Sequence, residues 1–388
     1  MKQRIVLIVC LLFISQSVFA VDPGLDWKTI ESEHLYVHYA DGNKALAERA
    51  LVIAEGAHEH LTKKLNWDPV EKTHLVLSDE TDQPNGFASP IFFNHTVLFL
   101  APPTSVNTLE DFDDWFTTLI THEYTHIVHL DKSAGSPEYL RNVFGRFVFL
   151  FPNLFQPSWV TEGLATYEET DLDRGIGRGQ STLFASMMRE ELANGVQPIS
   201  HVNLPVSTWP AGTTRYLYGV YFMNFLTEKY GEEKRQAWIE EYSDNLLPFF
   251  INTNAKQTLG KNLTPLWQEY EQWLTDKFQP QISAIKDRGV KAGEQISIDA
   301  YRTDSVRAIS TPAGDEIYYV SSSGYQRATL MHVDASGKSR ELLSLNNNVN
   351  LDMHPQSGLL LTQNEFCNNY TIYSDIYSYD VENDELKR

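Results

Sequence analysis

The sequence predicts an α+β protein in three successive parts, and three observations carry that prediction. Residues 21–107 mix period-two runs with one long period-3.6 stripe. Residues 108–290 are dominated by helical stripes closed by glycines such as Gly195 and Gly231. Residues 291–388 hold only short alternating runs between Gly/Asn/Asp/Ser-rich turns. A length of 388 residues exceeds one ordinary domain, and 42% hydrophobic residues suffice for a packed core.

Residues 1–20 precede these parts. Lys2 and Arg4 are followed by an apolar run, Ile5 to Ile14, and then by Val18-Phe19-Ala20. This is the layout of a secretory signal peptide cleaved after Ala20. The apolar run is shorter than the roughly 20 residues a spanning helix needs, and no later stretch is long enough. Cys10 lies inside the run and is not read as a lipid attachment point. After cleavage Cys367 is the one remaining cysteine, so no intrachain disulfide is expected. A periplasmic or secreted bacterial protein, with no stable membrane span, is therefore expected. The formal charge of −20, or −22 once the two leader cations are removed, argues against a nucleic-acid partner.

In the first part, His34 to Tyr39 alternates as a strand. Gly42 to Trp67 carries a helical stripe at Leu46, Ala50, Ile53, Ala57, Leu61 and Leu65. His58 and His60 are two apart, do not share a face and are expected on the surface. Thr73 to Ser78 and Thr96 to Leu100 read as further strands. Between them Pro84-Asn85-Gly86 signals a turn.

The second part opens on a helix starting near Thr108, with Asp111 completing an imperfect capping box. Its apolar stripe is Phe112, Phe116, Leu119, Ile120, Ile127 and Leu130. The same helix contains His122-Glu123-Tyr124-Thr125-His126. Histidines four apart point to one side of a helix and can converge on one ion at about 2.0–2.1 Å. Glu123 is the residue type that takes a proton from a water on such an ion. Burying two imidazoles and a carboxylate on an apolar face is costly without a balancing cation. His129, seven beyond His122, faces the same way and is expected to pack or to support the ligands. Arg141 to Pro157 is rich in Phe and Leu, too short to span a bilayer, and expected as a domain floor or membrane-facing lip. Ser158 is read as the N-cap of the next helix, Ser158-Trp159-Val160-Thr161-Glu162-Gly163-Leu164-Ala165.

HExxH followed by W-x-x-E-G-x-A resembles the gluzincin metallopeptidases, the clan of thermolysin and aminopeptidase N, and most closely a bacterial secreted branch. The resemblance implies a thermolysin-like catalytic domain. It implies one Zn²⁺ held by His122, His126 and Glu162, with Glu123 as general base acting on a peptide or protein substrate. It also implies an edge strand along the cleft to which substrate pairs, and Gly86 to Pro90 or Val97 to Leu100 resembles it. The gap from His126 to Glu162 is longer than in those relatives, which leaves Asp171 and Asp173 as competing third ligands. Thr166 stands where thermolysin has a carboxylate orienting a zinc-bound histidine, so that support must come from elsewhere.

Further helices are predicted at Ser181 to Asn194, Thr213 to Tyr230, Glu232 to Tyr242 and from Thr264-Pro265 onward. Tyr216-Leu217-Tyr218-Gly219 resembles the Y-x-x-G element whose tyrosine supports the oxyanion in aminopeptidase relatives. That role falls by position to Tyr216, with Tyr218 and Tyr221 as alternatives on the same helix. The G-x-M-E-N element that anchors a substrate amine is not found upstream, which favours endopeptidase over aminopeptidase action. In the third part, strands are read at Ala308 to Thr311, Glu316 to Ser321, Leu330 to Asp334, Leu359 to Gln363 and Ile376 to Asp380. Their loose repeat resembles the first two blades of a β-propeller of the Tol-associated or prolyl-peptidase type, a surface for a protein partner. The competing expectation is a catalytically silent zinc-binding platform that uses this propeller surface.

Overall fold

The structure is a computed structural model that describes residues 22–103, 114–203, 209–291, 293, 302–323, 326–346, 349–354, 358–368 and 370–388. The signal segment and the Thr108/Asp111 helix start, with Phe112, lie outside the described residues. Among the described residues no helix is long and apolar enough to cross a membrane. The described chain combines helices with open sheets, an α+β fold.

The first sheet contains β1 (Trp27–Glu31), β2 (Leu35–Ala40), β3 (Thr73–Ser78), β4 (Gly86–Ser89) and β5 (His95–Phe99), in the order β1-β2-β3-β5-β4. β2, β3 and β5 run parallel, and β4 returns antiparallel to β5 as a free edge. Alternation decides the faces: Leu35, Val37, Leu75, Leu77 and Leu98 are buried on one side. Helix α1 (Lys44–Lys64) covers that side with Ala47, Ala50, Ala54, Ala57 and Leu61. Ala50, Ala57, Leu61 and Leu65 of the expected stripe are buried and Ile53 is partly buried, whereas Leu46 faces solvent and Ala47 takes the inner position. Alanines let the helix lie close to the sheet, which a stripe of larger residues would prevent. His58 also turns inward, where its Nδ1 meets the Tyr124 hydroxyl at 2.8 Å, contrary to its expected surface position; His60 is exposed.

Helix α2 (Trp115–Asp131) starts from Asp114, whose carboxylate accepts from the Phe116 N–H at 3.1 Å. It is buried on nearly every side rather than along one stripe, because the sheet, α1 and the later helices surround it. Its C-terminal carbonyls are met by the segment that follows. The fully buried Asn153 amide donates to the carbonyls of His129 (2.7 Å) and Lys132 (3.4 Å). Asp131 would be unfavourable at a helix C-terminus, but Arg146 pairs with it at 3.1 Å and the Trp67 indole donates to it at 2.9 Å. The segment holds α3 (Gly135–Phe144) and two single turns. Leu150 and Phe151 pack inward, whereas Phe144, Phe147 and Phe149 point outward.

Helix α4 (Ser158–Glu168) crosses α6 (Thr214–Tyr230). A Cβ on Gly219 would lie 2.2 Å from the Trp159 carbonyl oxygen, and one on Gly163 would lie 2.5 Å from the Gly219 backbone. Only glycine at both positions permits this approach. Behind the crossing, Trp159, Phe222, Trp267 and Tyr270 interlock edge to face with centroids 4.9–5.6 Å apart. Ser158 does not cap α4; its hydroxyl donates to Asn203 Oδ1 at 2.9 Å, and Pro157 precedes the helix. Helices α5 (Thr182–Asn194), α7 (Glu232–Glu241), α8 (Ile251–Leu259) and α9 (Leu263–Asp287) complete this half. Ser181 caps α5. Thr264 is not the cap of α9, which starts at Leu263 with its N–H held by Asn252 Oδ1 at 3.0 Å.

The remaining strands form two four-stranded antiparallel meanders. One contains β6 (Arg302–Thr311), β7 (Gly314–Ser323), β8 (Gln326–Val333) and β9 (Ser339–Ser344). The other contains β10 (Leu351–His354), β11 (Gly358–Phe366), β12 (Ile372–Asp380) and β13 (Glu385–Lys387). They share a small core of Tyr318, Val320, Leu330, Leu351, Leu359 and Leu361 among others. β12 also holds the loop between β3 and β4: the Ile372 N–H donates to the Glu80 carbonyl at 2.8 Å, and the Ser374 N–H to Asp82 at 2.8 Å. The second meander thus braces the turn that leads into the edge strand β4.

Candidate metal centre

Helix periodicity places His122 and His126 one turn apart on α2, and α4 brings Glu162 against them. The Glu162 Oε2 atom lies 3.4 Å from His122 Nε2 and 3.3 Å from His126 Nε2. One donor atom from each of the three lies within 4.8 Å of the others, a group that could hold a metal ion. Two imidazole nitrogens and one carboxylate oxygen suit a four-coordinate ion with one position left open. The Glu162 side chain keeps 19% of its exposure, so the group faces solvent on one side.

The tautomer needed for ligation is set by a residue that sequence reasoning missed. His122 Nδ1 lies 2.7 Å from Oε2 of the fully buried Glu169 carboxylate. An N–H at Nδ1 donating to Glu169 leaves the Nε2 lone pair aimed at the other ligands. Glu169 is itself gripped by Arg178, with Nε 2.7 Å from Oε1 and Nη2 2.7 Å from Oε2. A tight turn returns Arg178 to this position. Asp171 accepts from the N–H groups of Asp173 and Arg174, and Gly177 adopts φ +88° where a Cβ would strike Thr170. Asp171 therefore shapes a turn and is not in the ligand group, and neither is Asp173. The missing carboxylate at Thr166 is thus supplied by Glu169, about one turn beyond Thr166 and seven residues beyond Glu162. That spacing, two turns on one face, was the available signal.

The charges respond to this packing. Burial works to lower the His122 pKa, but Glu162 and Glu169 overcome it and hold the imidazolium up to about 9. Burial opposes ionisation of Glu169, yet Arg178 and His122 bring it down to about 2. Glu162 is likewise held well below the ordinary carboxylate range, against burial, by the two imidazoles. Burial raises Glu123, which the two histidines only partly offset. A raised carboxylate is a stronger base. His129 packs in the core without joining the ligands, and burial pushes it down to about 3, so it stays neutral.

Glu123 stands between the ligands and the sheet. A Cβ on Gly86 would come within 3.0 Å of Glu123 Cγ and Oε1. Gly86 begins the free edge strand β4, so of the two expected edges it is β4, while β5 lies inside the sheet. Of the three tyrosines, Tyr218 is buried and bonded to Glu191 and the Gln197 N–H. Tyr221 is buried against Phe278. Tyr216 alone of the three reaches the centre, its ring 6.2 Å from that of His122. The guanidinium groups of Arg178 and Arg215 lie over its ring, 4.7 and 5.1 Å from the centroid. Burial, with Glu162 nearby, raises its pKa and keeps the phenol protonated.

No family model and no curated protein matches this chain.

Proposed function

We propose that this chain is an exported zinc-dependent peptidase of gluzincin type, with His122, His126 and Glu162 as ligands. The reading rests chiefly on one observation: three donor atoms converge beside a buried glutamate that abuts a free strand edge. When bound, zinc would supply Lewis-acid polarisation and make water nucleophilic near neutral pH. In this reading the substrate backbone adds to β4 in extended form, which brings a peptide group alongside Glu123. Glu123 takes the proton of the attacking water and passes it to the leaving amine. The Tyr216 hydroxyl donates to the oxygen on which negative charge develops. Glu169 and Arg178 keep His122 in the ligating tautomer.

The segment after α2 supports an open cleft, because Asn153 and Arg146 dock it against the far end of that helix. The two meanders fit the start of a propeller-like array, which would offer a protein-binding face. Glu123→Gln is expected to retain zinc, measured by atomic emission, and to lose turnover of a peptide library by at least about 10²–10⁴-fold. Unchanged turnover would reject the base assignment. Zinc without turnover in the unmodified protein would favour the silent platform.

A further inference from the structure

Arg215 stands out among the cations near the centre. The buried Arg178 is committed to Glu169. Arg215 has no carboxylate within 4 Å among the described residues, although the chain carries 51 acidic residues against 31 basic ones. Its guanidinium lies over the Tyr216 ring, and Nη2 approaches the Tyr216 hydroxyl at 3.4 Å, which places it beside the proposed catalytic group. The Arg215 Nε is buried and has no hydrogen-bond partner. A half-buried guanidinium with spare donors is an unmet demand for an acceptor.

Arg215 sits in the first turn of α6, directly after the single turn Ala211–Thr213, whose Ala211 carbonyl accepts from the Thr214 N–H. The acceptor still missing is therefore one for the side-chain donors of Arg215 itself, beside Tyr216.

We infer that the Arg215 guanidinium forms an anion subsite that takes a carboxylate of the substrate beside Tyr216. This rests on the peptidase reading, in which the anionic group available on a substrate is a carboxylate. Two sources share that chemistry: the free C-terminus of a short peptide, and the side chain of an internal Asp or Glu. A guanidinium meets either with two parallel N–H donors.

The test uses the full chain, zinc-loaded, in the Glu123→Gln form so that peptides bind without being cut. Fluorescence anisotropy compares labelled peptides of one sequence as free acid, as C-terminal amide, and as amide with an internal Asn replaced by Asp. A terminal subsite predicts binding of the acid about 10- to 100-fold tighter than the amide; a side-chain subsite predicts the same gain for Asp over Asn. In either case Arg215→Gln abolishes the gain and Arg215→Lys keeps part of it, while zinc content and the thermal midpoint stay unchanged. No preference for either carboxylate, or a preference that survives Arg215→Gln, overturns the inference. Turnover by unmodified protein separates the two claims. Peptide cleavage without acid preference leaves the peptidase and removes the subsite. Acid preference without cleavage leaves the subsite and removes the peptidase. Absence of both binding and cleavage removes the two together.

Discussion

Two histidine–carboxylate–arginine groups stand out among the described residues, one at the candidate centre and one in the first meander. His122 meets Glu169, which is held by Arg178; His332 meets Glu316 at 2.9 Å and accepts from Arg340 at 3.3 Å. Both imidazoles are buried to the same degree, with 8% of the side chain exposed. The difference lies in what each ring nitrogen is left to do. At His332 both nitrogens are used inside the group, and the ring stacks on Tyr318. At His122 both Glu169 and Arg178 gather at Nδ1, and Nε2 is turned toward His126 and Glu162, where displacement of its proton would leave a lone pair for an ion. Residue types alone therefore do not make a ligand. A free lone pair, aimed at other donors by a partner on the opposite nitrogen, does.

The largest effect is expected where the helix crossing that aims the donors is opened. Gly219→Ala places a methyl against the backbone of α4 with nothing flexible to move. A loss of about 3 kcal/mol in stability is expected, the upper end for overpacking, together with impaired zinc binding. Urea denaturation and metal content check it; an unchanged midpoint would mean that the crossing is looser than described. Next in size, Glu169→Gln is expected to weaken zinc about 10–100-fold by competition titration, while Glu316→Gln leaves zinc affinity unaltered. Equal effects would erase the distinction between the two groups.

A pH series sharpens the same contrast. In the metal-free protein His122 holds its proton to about 9, so zinc must displace it. Apparent affinity should rise with pH toward 9, by about tenfold per unit if this is the one proton released. The linked stability has the opposite direction. A pairing that raises a histidine above its unfolded value of about 6.5 stabilises the metal-free fold fully below that pH and is lost as pH rises through 9. Thermal midpoints after chelation should therefore fall across that window, and saturating zinc should remove the decline. Glu169 acts at the other end: with its pKa down to about 2, its contribution is present above about 4.5 and fades as pH falls toward 2. The smallest expected effect is Glu316→Gln on stability, about 1 kcal/mol, because its carboxylate is partly exposed.

Local patterns made the ligands legible. The four-residue spacing of His122 and His126 is a helix property, and the glutamate of W-x-x-E-G lies on the next predicted helix. The strand read from Leu359 to Gln363 lies within β11, and the one read from Leu330 to Asp334 overlaps β8 as far as Val333, because period-two alternation is also local. Most of the α1 stripe is buried as its period predicts, but Leu46 and Ala47 both fit a periodic pattern, and only the sheet decides that Ala47 faces inward. His58 turns inward for a reason no local pattern carries: its partner, Tyr124, is 66 residues away.

What the sequence determined by itself is what chain periodicity can carry: two imidazoles on one helical face, a glutamate beside them, helix ends at glycines and the alternation of the strands. The tertiary structure decided which carboxylate orients His122, that Gly163 and Gly219 meet, that Tyr216 rather than Tyr218 or Tyr221 reaches the centre, and that Arg215 keeps its donors free. Periodicity acts over a few residues, whereas these contacts join segments tens of residues apart. Their partners become neighbours only once the helices have packed and their buried charges have found counterparts.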